Sequence, residues 1–336
     1  MTHNIFIENT SIDPYYNLAF EQALVDLAAT ASSSHANNNY FMLWQNSSAI
    51  IVGKHQNTIE EINEAFVKEN NIAVVRRLSG GGAVYHDLGN LNFTFIVNAD
   101  KNMDFAYFCK PISQALLSFG IPVEIEGRND MTVNGKKFSG NAQYKKDNLI
   151  MHHGTILYDS DLDMLSKALK TPHKALSKAI KSRESRVTNI RPFMKIDTDI
   201  NGFRFMLKEY LCNALDMREL TLEQKFHDAA IELKEKLYSQ WEWNYGNSPP
   251  HTVRKSRTIS GCGKIEVFLD IGREGIIRDI AFLGDFFFHA EPELLKKYFI
   301  GQKFEINSIK KQLENIELTH YFSGIENESF YSLLFE

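Results

Sequence analysis

Residues 72–97 read IAVVRRLSGGGAVYHDLGNLNFTFIV, and the organisation of the chain turns on them. Ile72–Leu78 is an apolar, β-branched run ending in Arg76 and Arg77, which predicts a strand. Leu88-Gly89-Asn90 marks a turn, and Asn92–Val97 predicts another strand. Between them stand Gly80, Gly81 and Gly82. Without Cβ atoms, their backbone N–H groups can approach a ligand closely. The arginine just before them adds a charge that can grip two oxygens at once, so the pair suits a phosphate or a carboxylate. Three glycines alone would read equally well as a flexible loop. Two phosphate cradles are excluded: GxxxxGK[ST] is missing, and a strand rather than a helix follows the glycines.

Toward the N-terminus, Asn4–Glu8 predicts a strand. Asp13 and Pro14 suit the start of a helix as cap and first-turn residue. Leu18, Ala23, Leu24, Leu27 and Ala28 recur at helical spacing, so one face belongs to a core. Ala31–Asn39 reads as a polar connection. Tyr40–Gln45 and Ala49–Lys54 predict strands, and Asn63–Asn70 a helix. Toward the C-terminus, Asp104–Phe119 predicts a helix closed by Gly120 and Pro122. Met131–Val133 and Lys136–Phe138 flank Asn134-Gly135, the dipeptide that favours a type I′ hairpin turn. Leu149–Leu157 is another strand. Helical patterns occupy Asp161–Ser182 and Gly202–Ser239.

Many strands joined by short turns, with helices interspersed, predict an α+β fold with mixed, largely antiparallel sheets and flanking helices. The regular strand–helix alternation of a doubly wound parallel sheet is absent. A chain of 336 residues exceeds one average core. Asn244–Pro250 reads as a linker. Beyond it Ile265–Asp270 and Ile276–Leu283 predict strands, followed by short helices near Glu291–Phe299 and Asn307–Leu313. Two domains are expected, 1–245 and 250–336.

Composition narrows the function. The apolar share is 43%, the charged share 24% and the formal net charge -5, so wholesale binding to nucleic acid or an anionic membrane is not expected. Cys109, Cys212 and Cys262 lie far apart and form no CxxC pair, which argues against a zinc site or a disulfide framework. The N-terminus has no signal-like segment, and no apolar run reaches the roughly 20 residues of a membrane helix. A cytoplasmic location is expected.

Two further segments carry candidate chemistry. The first runs from Gly127-Arg128-Asn129-Asp130 through the hairpin to Lys137-Phe138-Ser139-Gly140-Asn141-Ala142. Strand side chains alternate, so only one of Lys136 and Lys137 can face a pocket. The second is Met151-His152-His153-Gly154-Thr155. The adjacent histidines point to opposite faces of a strand and are poorly placed to share a metal ion.

RRLSGGGAVYHDLGNLNFTF, GRND…NGKKFSGNAQ, HHGTIL and SRVTN (185–189), in this order and spacing, resemble lipoate–protein ligases, and so does VGKHQN (52–57) before them. Trp241-Glu242-Trp243, Tyr245–Pro249 and Gly284-Asp285-Phe286-Phe287 look like the accessory domain of the long ligases. The resemblance implies the fold shared with biotin–protein ligases and octanoyltransferases. It implies ATP and Mg²⁺ as cofactors, lipoate as substrate and a lipoyl-AMP intermediate. Arg77, Gly82, Ala83, Val84 and Tyr85 would contact the nucleotide or adenylate. Lys137 would be the catalytic lysine, touching the lipoyl carbonyl and the phosphate. Ser79, His86, Asn129, Asp130 and His153 would belong to the pocket, Asp130 as a magnesium ligand or a lysine partner. The implied partners are apo lipoyl domains of 2-oxoacid dehydrogenase complexes and the glycine cleavage H protein.

An apolar tunnel for the dithiolane tail is expected from the helix around Leu18–Leu27 and the strands near Trp44 and Val52. Three readings compete. An ATP-independent octanoyl- or lipoyl-transferase would need a thioester cysteine, but Lys178–Asn189 contains none. Cys109 and Cys212 are expected to be buried in amphipathic helices. A biotin ligase would carry a GRGRxG-type loop in place of RRLSGGGAVY. A non-enzymatic lipoyl sensor would have no need of Arg77 and Lys137.

Overall fold

The computed structural model describes residues 3–33, 38–98, 104–126, 129–170, 187–246, 253–272 and 275–335. In chain order the strands are β1 (His3–Glu8), β2 (Asn38–Trp44), β3 (Ala49–Val52), β4 (Ala73–Arg76), β5 (Val84–His86), β6 (Asn90–Asn98) and β7 (Val123–Glu126). They continue with β8 (Asp130–Val133), β9 (Lys136–Lys146), β10 (Leu149–Leu157), β11 (Met217–Leu220), β12 (Val253–Ile259), β13 (Gly263–Ile271) and β14 (Ile277–Gly284).

The large sheet has eight strands in the order β11-β1-β2-β6-β10-β9-β8-β7. Its first two pairings are parallel and the rest antiparallel, the mixed and largely antiparallel sheet expected. Strand alternation sorts its two faces. Tyr40, Met42 and Trp44 pack with the helix Pro14–Ser33, while Phe41 and Leu43 pack with the helices Phe105–Ser118 and Ile200–Ala214. A small sheet, β4-β3-β5, sits beside it and holds the glycine loop. A third sheet, β12-β13-β14, has its own core of Val267, Leu269, Phe282, Phe299, Phe322 and Phe330 with the C-terminal helices. No helix among the described residues is long and apolar enough to cross a membrane.

Three local readings are corrected. The stretch Gly202–Ser239 is not helical throughout: Asp216 takes a left-handed φ of 46°, and β11 follows, adding parallel to β1 from 200 residues away in sequence. That pairing is tertiary and leaves no local signature. The first helix runs on to Ser33. Asn244 and Tyr245 do not belong to a linker, because Trp241–Tyr245 is helical and Asn244 is buried. The ends of two expected features, 171–182 and 247–250, lie outside the described residues. Cys109 and Cys262 are buried, whereas Cys212 is only half-buried.

Arg76 explains why Asn244 is held. Its guanidinium is 1% exposed and has carbonyls rather than a carboxylate around it. Nε donates to Trp243 O at 2.8 Å, and Nη1 to the carbonyls of Gly53, Lys54 and Gln56 at 2.8–3.0 Å. Nη2 donates to Thr58 Oγ1 at 2.7 Å and to Asn244 O at 3.1 Å. One side chain therefore ties the loop after β3 to the helix Trp241–Tyr245. Arg76→Leu should leave these buried acceptors unpaired and lower unfolding free energy by at least about 3 kcal/mol. Chemical denaturation would check this; an unchanged midpoint would contradict the staple.

Candidate active site

The glycine loop is held in shape from behind. Arg77 is buried, and its Nη1 donates to Ile51 O at 3.0 Å. Its Nη2 donates to Gly80 O at 2.7 Å and Gly82 O at 2.8 Å, and its Nε to Ser79 Oγ at 3.0 Å. Burial, opposed by the charge of Glu21, brings the guanidinium pKa down to about 10. Gly81 has φ +89°, a conformation that disfavours side chains, and its N–H meets Phe286 O at 3.4 Å. A Cβ on Gly82, by contrast, would meet nothing within 4 Å.

The loop faces a cavity lined by Leu18, Trp44, Ile51, Arg77, Gly81–Val84, His86 and Asn92 on one side. Asn129, Lys137, Gly140–Ala142 and His153–Thr155 line the other. Its apolar lining includes Leu18, Trp44 and Ile51, from the helix and strands from which a tunnel was expected. Val52, however, turns into a separate core. Val84 and His86 face the cavity while Tyr85 packs into that same core, so the Tyr85 side chain is directed away from any ligand here. Ser79 lies fully buried behind the wall.

Lys137 arrives by way of the hairpin. Asn134 and Gly135 both have positive φ, 51° and 69°, as a type I′ turn demands. A register shift follows, so Thr132 faces Lys137 while Met131 faces Ser139. Lys137 reaches the cavity and its Nζ lies 2.7 Å from Asp130 Oδ1, whereas Lys136 is exposed. Val187 pairs with Lys137, and Thr188 N donates to Lys137 O at 2.9 Å, so the end of the SRVTN motif buttresses the lysine. Asn129 Nδ2 donates to Asn141 O at 2.7 Å, tying the two motifs together.

The histidines separate as alternation requires. His152 is buried against Phe93, Phe105 and Phe108, while His153 faces the cavity. His153 sits 2.6 Å from Ser79 Oγ and 2.9 Å from Glu21 Oε1. His86 Nδ1 lies 3.0 Å from Asn46 Nδ2, which can only donate, so Nε2 carries the proton. That Nε2 is buried without a protein partner, as is Asn92 Nδ2, so both residues bring an unpaired donor to the wall. Burial first, then Arg77 and His153, hold His86 down at about 3, so it is neutral near pH 7. Asn92 and Glu21 escaped the sequence reading. Asn92 breaks an apolar run and was a detectable signal; Glu21 in a helix was not.

Asp130 is engaged with Lys137 rather than with a group of ligands. Among the described residues one trio offers donor atoms within 4.8 Å of one another, His55, Glu291 and Glu293, outside this cavity. Lys54 and Arg76 supply two positive charges beside that trio, which opposes a divalent ion there.

Residues 13–212 match the family described as the lipoyl protein ligase A/B catalytic domain. Residues 248–334 match the bacterial lipoate protein ligase C-terminus. Lipoate-protein ligase LplJ of Bacillus subtilis is 40% identical, covering 98% of this chain and 100% of LplJ. The crystal structure of P. falciparum LipL1 in complex with lipoate is similar with a TM-score of 0.78 and 25% identity, over 98% of this chain and 97% of LipL1. That of lipoate-protein ligase A bound with ATP is similar with a TM-score of 0.60 and 29% identity, over 73% of this chain and 100% of that one. The α+β fold, the motifs brought together around one cavity and the two family matches end to end agree, and the chain belongs to the lipoyl protein ligase family.

Proposed function

We propose that the protein activates lipoate with ATP as lipoyl-AMP and transfers the lipoyl group to a lysine of a lipoyl-carrier domain. The observation that supports this is that Lys137, the open face of Gly82 and the apolar side chains of Leu18, Trp44 and Ile51 line the same cavity. A carboxylate with an apolar tail and a polyphosphate would meet there.

In the first step a lipoate carboxylate oxygen attacks the α-phosphorus. The new P–O bond forms as the bond to pyrophosphate breaks. Two anions must approach, and the Lys137 ammonium and the loop amides offset their repulsion. Mg²⁺ would enter with ATP as part of the substrate, and Asp130, the ion-pair partner of Lys137, is the carboxylate that would hold it. In the second step the acceptor amine attacks the lipoyl carbonyl, loses a proton, and AMP leaves with the bonding pair of the C–O bond. The proposed acceptors are lipoyl domains of 2-oxoacid dehydrogenase acyltransferase subunits and the glycine cleavage H protein.

Residues 1–245 would perform both steps, with 250–336 as an accessory domain. The contact of Gly81 with Phe286 O, and of Gly284 N with His55 O at 2.8 Å, would let that domain sense the state of the loop. An ATP-independent transferase is disfavoured because no cysteine lines the cavity among the described residues, and burial pushes the Cys109 thiol up to about 12.

The decisive assay is pyrophosphate release. It should require lipoate or a similar medium-chain acid, and release indifferent to the acid would sink the adenylation step. Lys137→Ala should cut adenylate formation by at least about 100-fold. Its melting temperature should stay close to wild type, because the side chain is 38% exposed and its ion pair contributes little. Lys136→Ala should be mild, and equal losses would contradict the geometry. Gly82→Val should fold normally, since its side chain enters open space, yet lose nucleotide binding. Normal binding of ATP, measured by calorimetry, would show that the loop does not cradle phosphate.

A further inference from the structure

Behind the cavity wall runs a chain of hydrogen bonds whose directions can be assigned from its ends. Arg77 Nε can only donate, so Ser79 Oγ accepts at 3.0 Å. Ser79 Oγ keeps a second lone pair, but among the described residues its own buried proton meets no acceptor other than His153 Nε2, at 2.6 Å, and goes there. Nε2 is therefore the bare nitrogen, and Nδ1 carries the proton, which it donates to Glu21 Oε1 at 2.9 Å and Oε2 at 3.0 Å. From the other end, Trp44 Nε1 can only donate, so Thr94 Oγ1 accepts at 2.9 Å. The Thr94 proton goes to Glu21 Oε1 at 2.7 Å. Two donor-only ends thus converge on the acceptor-only carboxylate of Glu21, which is 2% exposed and does not itself reach the cavity.

We infer that Glu21 is a positioning residue for both substrates of the proposed reaction. Through His153 and Ser79 it fixes Arg77, which grips the carbonyls of Gly80 and Gly82. Through Thr94 it fixes Trp44 in the apolar lining of the cavity. Its charge also favours the buried Arg77 guanidinium, whose hydrogen-bond partners among the described residues are a hydroxyl and three carbonyls. A carboxylate ends both chains with acceptors only: Oε1 takes Thr94 and His153 together, and an amide with its oxygen there would set its NH₂ at the Oε2 position, 3.0 Å from the Nδ1–H of His153.

The inference rests on the proposed function for its kinetic arm only. Nitrogen-15 NMR of labelled full-length protein near neutral pH reads the His153 tautomer, with its signals identified by their loss in His153→Gln. The Nδ1–H tautomer is expected, and the Nε2–H form or the doubly protonated ring would overturn the inference, whatever the enzyme does. In the lipoate-dependent pyrophosphate assay, Ser79→Ala should raise the KM for ATP about tenfold, the effect of one unpaired buried donor, and leave that for lipoate nearly unchanged. Thr94→Val should do the reverse. Glu21→Gln should raise at least one of the two KM values by a similar factor. A Glu21→Gln protein that melts lower but keeps both KM values would show a merely structural residue. A protein with no lipoate-dependent pyrophosphate release would refute the proposed function, while the NMR result would still decide the tautomer.

Discussion

A loop of three glycines has no side chains with which to hold its own shape. Its carbonyls must find partners elsewhere, or the loop samples many conformations and binds weakly. Arg77 supplies those partners, with two bonds to Gly80 and Gly82 and two that anchor it to Ile51 and Ser79. Its neighbour Arg76 points to the other side of the strand and fastens the loop after β3. The RR dipeptide is thus a double clamp at the end of one strand, and the cavity is built outward from it.

The same loop is where the two cores meet. Phe286 offers its carbonyl to Gly81, and the ring of Phe287 would lie 3.1 Å from a Cβ placed there. His55, from the other side, is enclosed by Phe286 and Phe288 with ring centroids at 5.1 and 4.6 Å. Burial, followed by the charges of Lys54 and Arg76, keeps His55 at about 3, so it joins this contact as a neutral aromatic ring. The motifs GKHQN, SGGGA and GDFFF, separate in sequence, are one packed unit.

Much of this was legible in the residues and some of it was not. Asn134-Gly135 announced its hairpin because a type I′ turn needs positive φ twice, which is a local demand. The pairs Lys136/Lys137 and His152/His153 could be sorted because alternation is a property of any strand. Tyr85 was grouped with its neighbours, although alternation applied to Val84-Tyr85-His86 turns its side chain into the neighbouring core, away from this cavity. Strand β11 was invisible because its partner β1 lies far off in the chain. Glu21 was invisible for a related reason: a glutamate at an inward helical position reads as a boundary residue, and only the fold reveals His153 and Thr94 opposite it.

Electrostatics give the arrangement its direction. Burial brings Arg76 and Arg77 down to about 10, still well above neutrality, so both stay charged in the folded protein near pH 7. The cost of desolvating them is met in folding, by carbonyl dipoles aimed at fixed donors. Positive potential is therefore in place before any anion arrives, and it does not have to be assembled during the reaction. His86 and Asn92 add neutral donors at the wall that have no protein partner among the described residues. Buried charge and donors gathered at one cavity wall suit a ligand that brings several oxygens, as the proposed reaction would supply. An acyl phosphate fits that demand, and a simple fatty carboxylate alone meets only part of it.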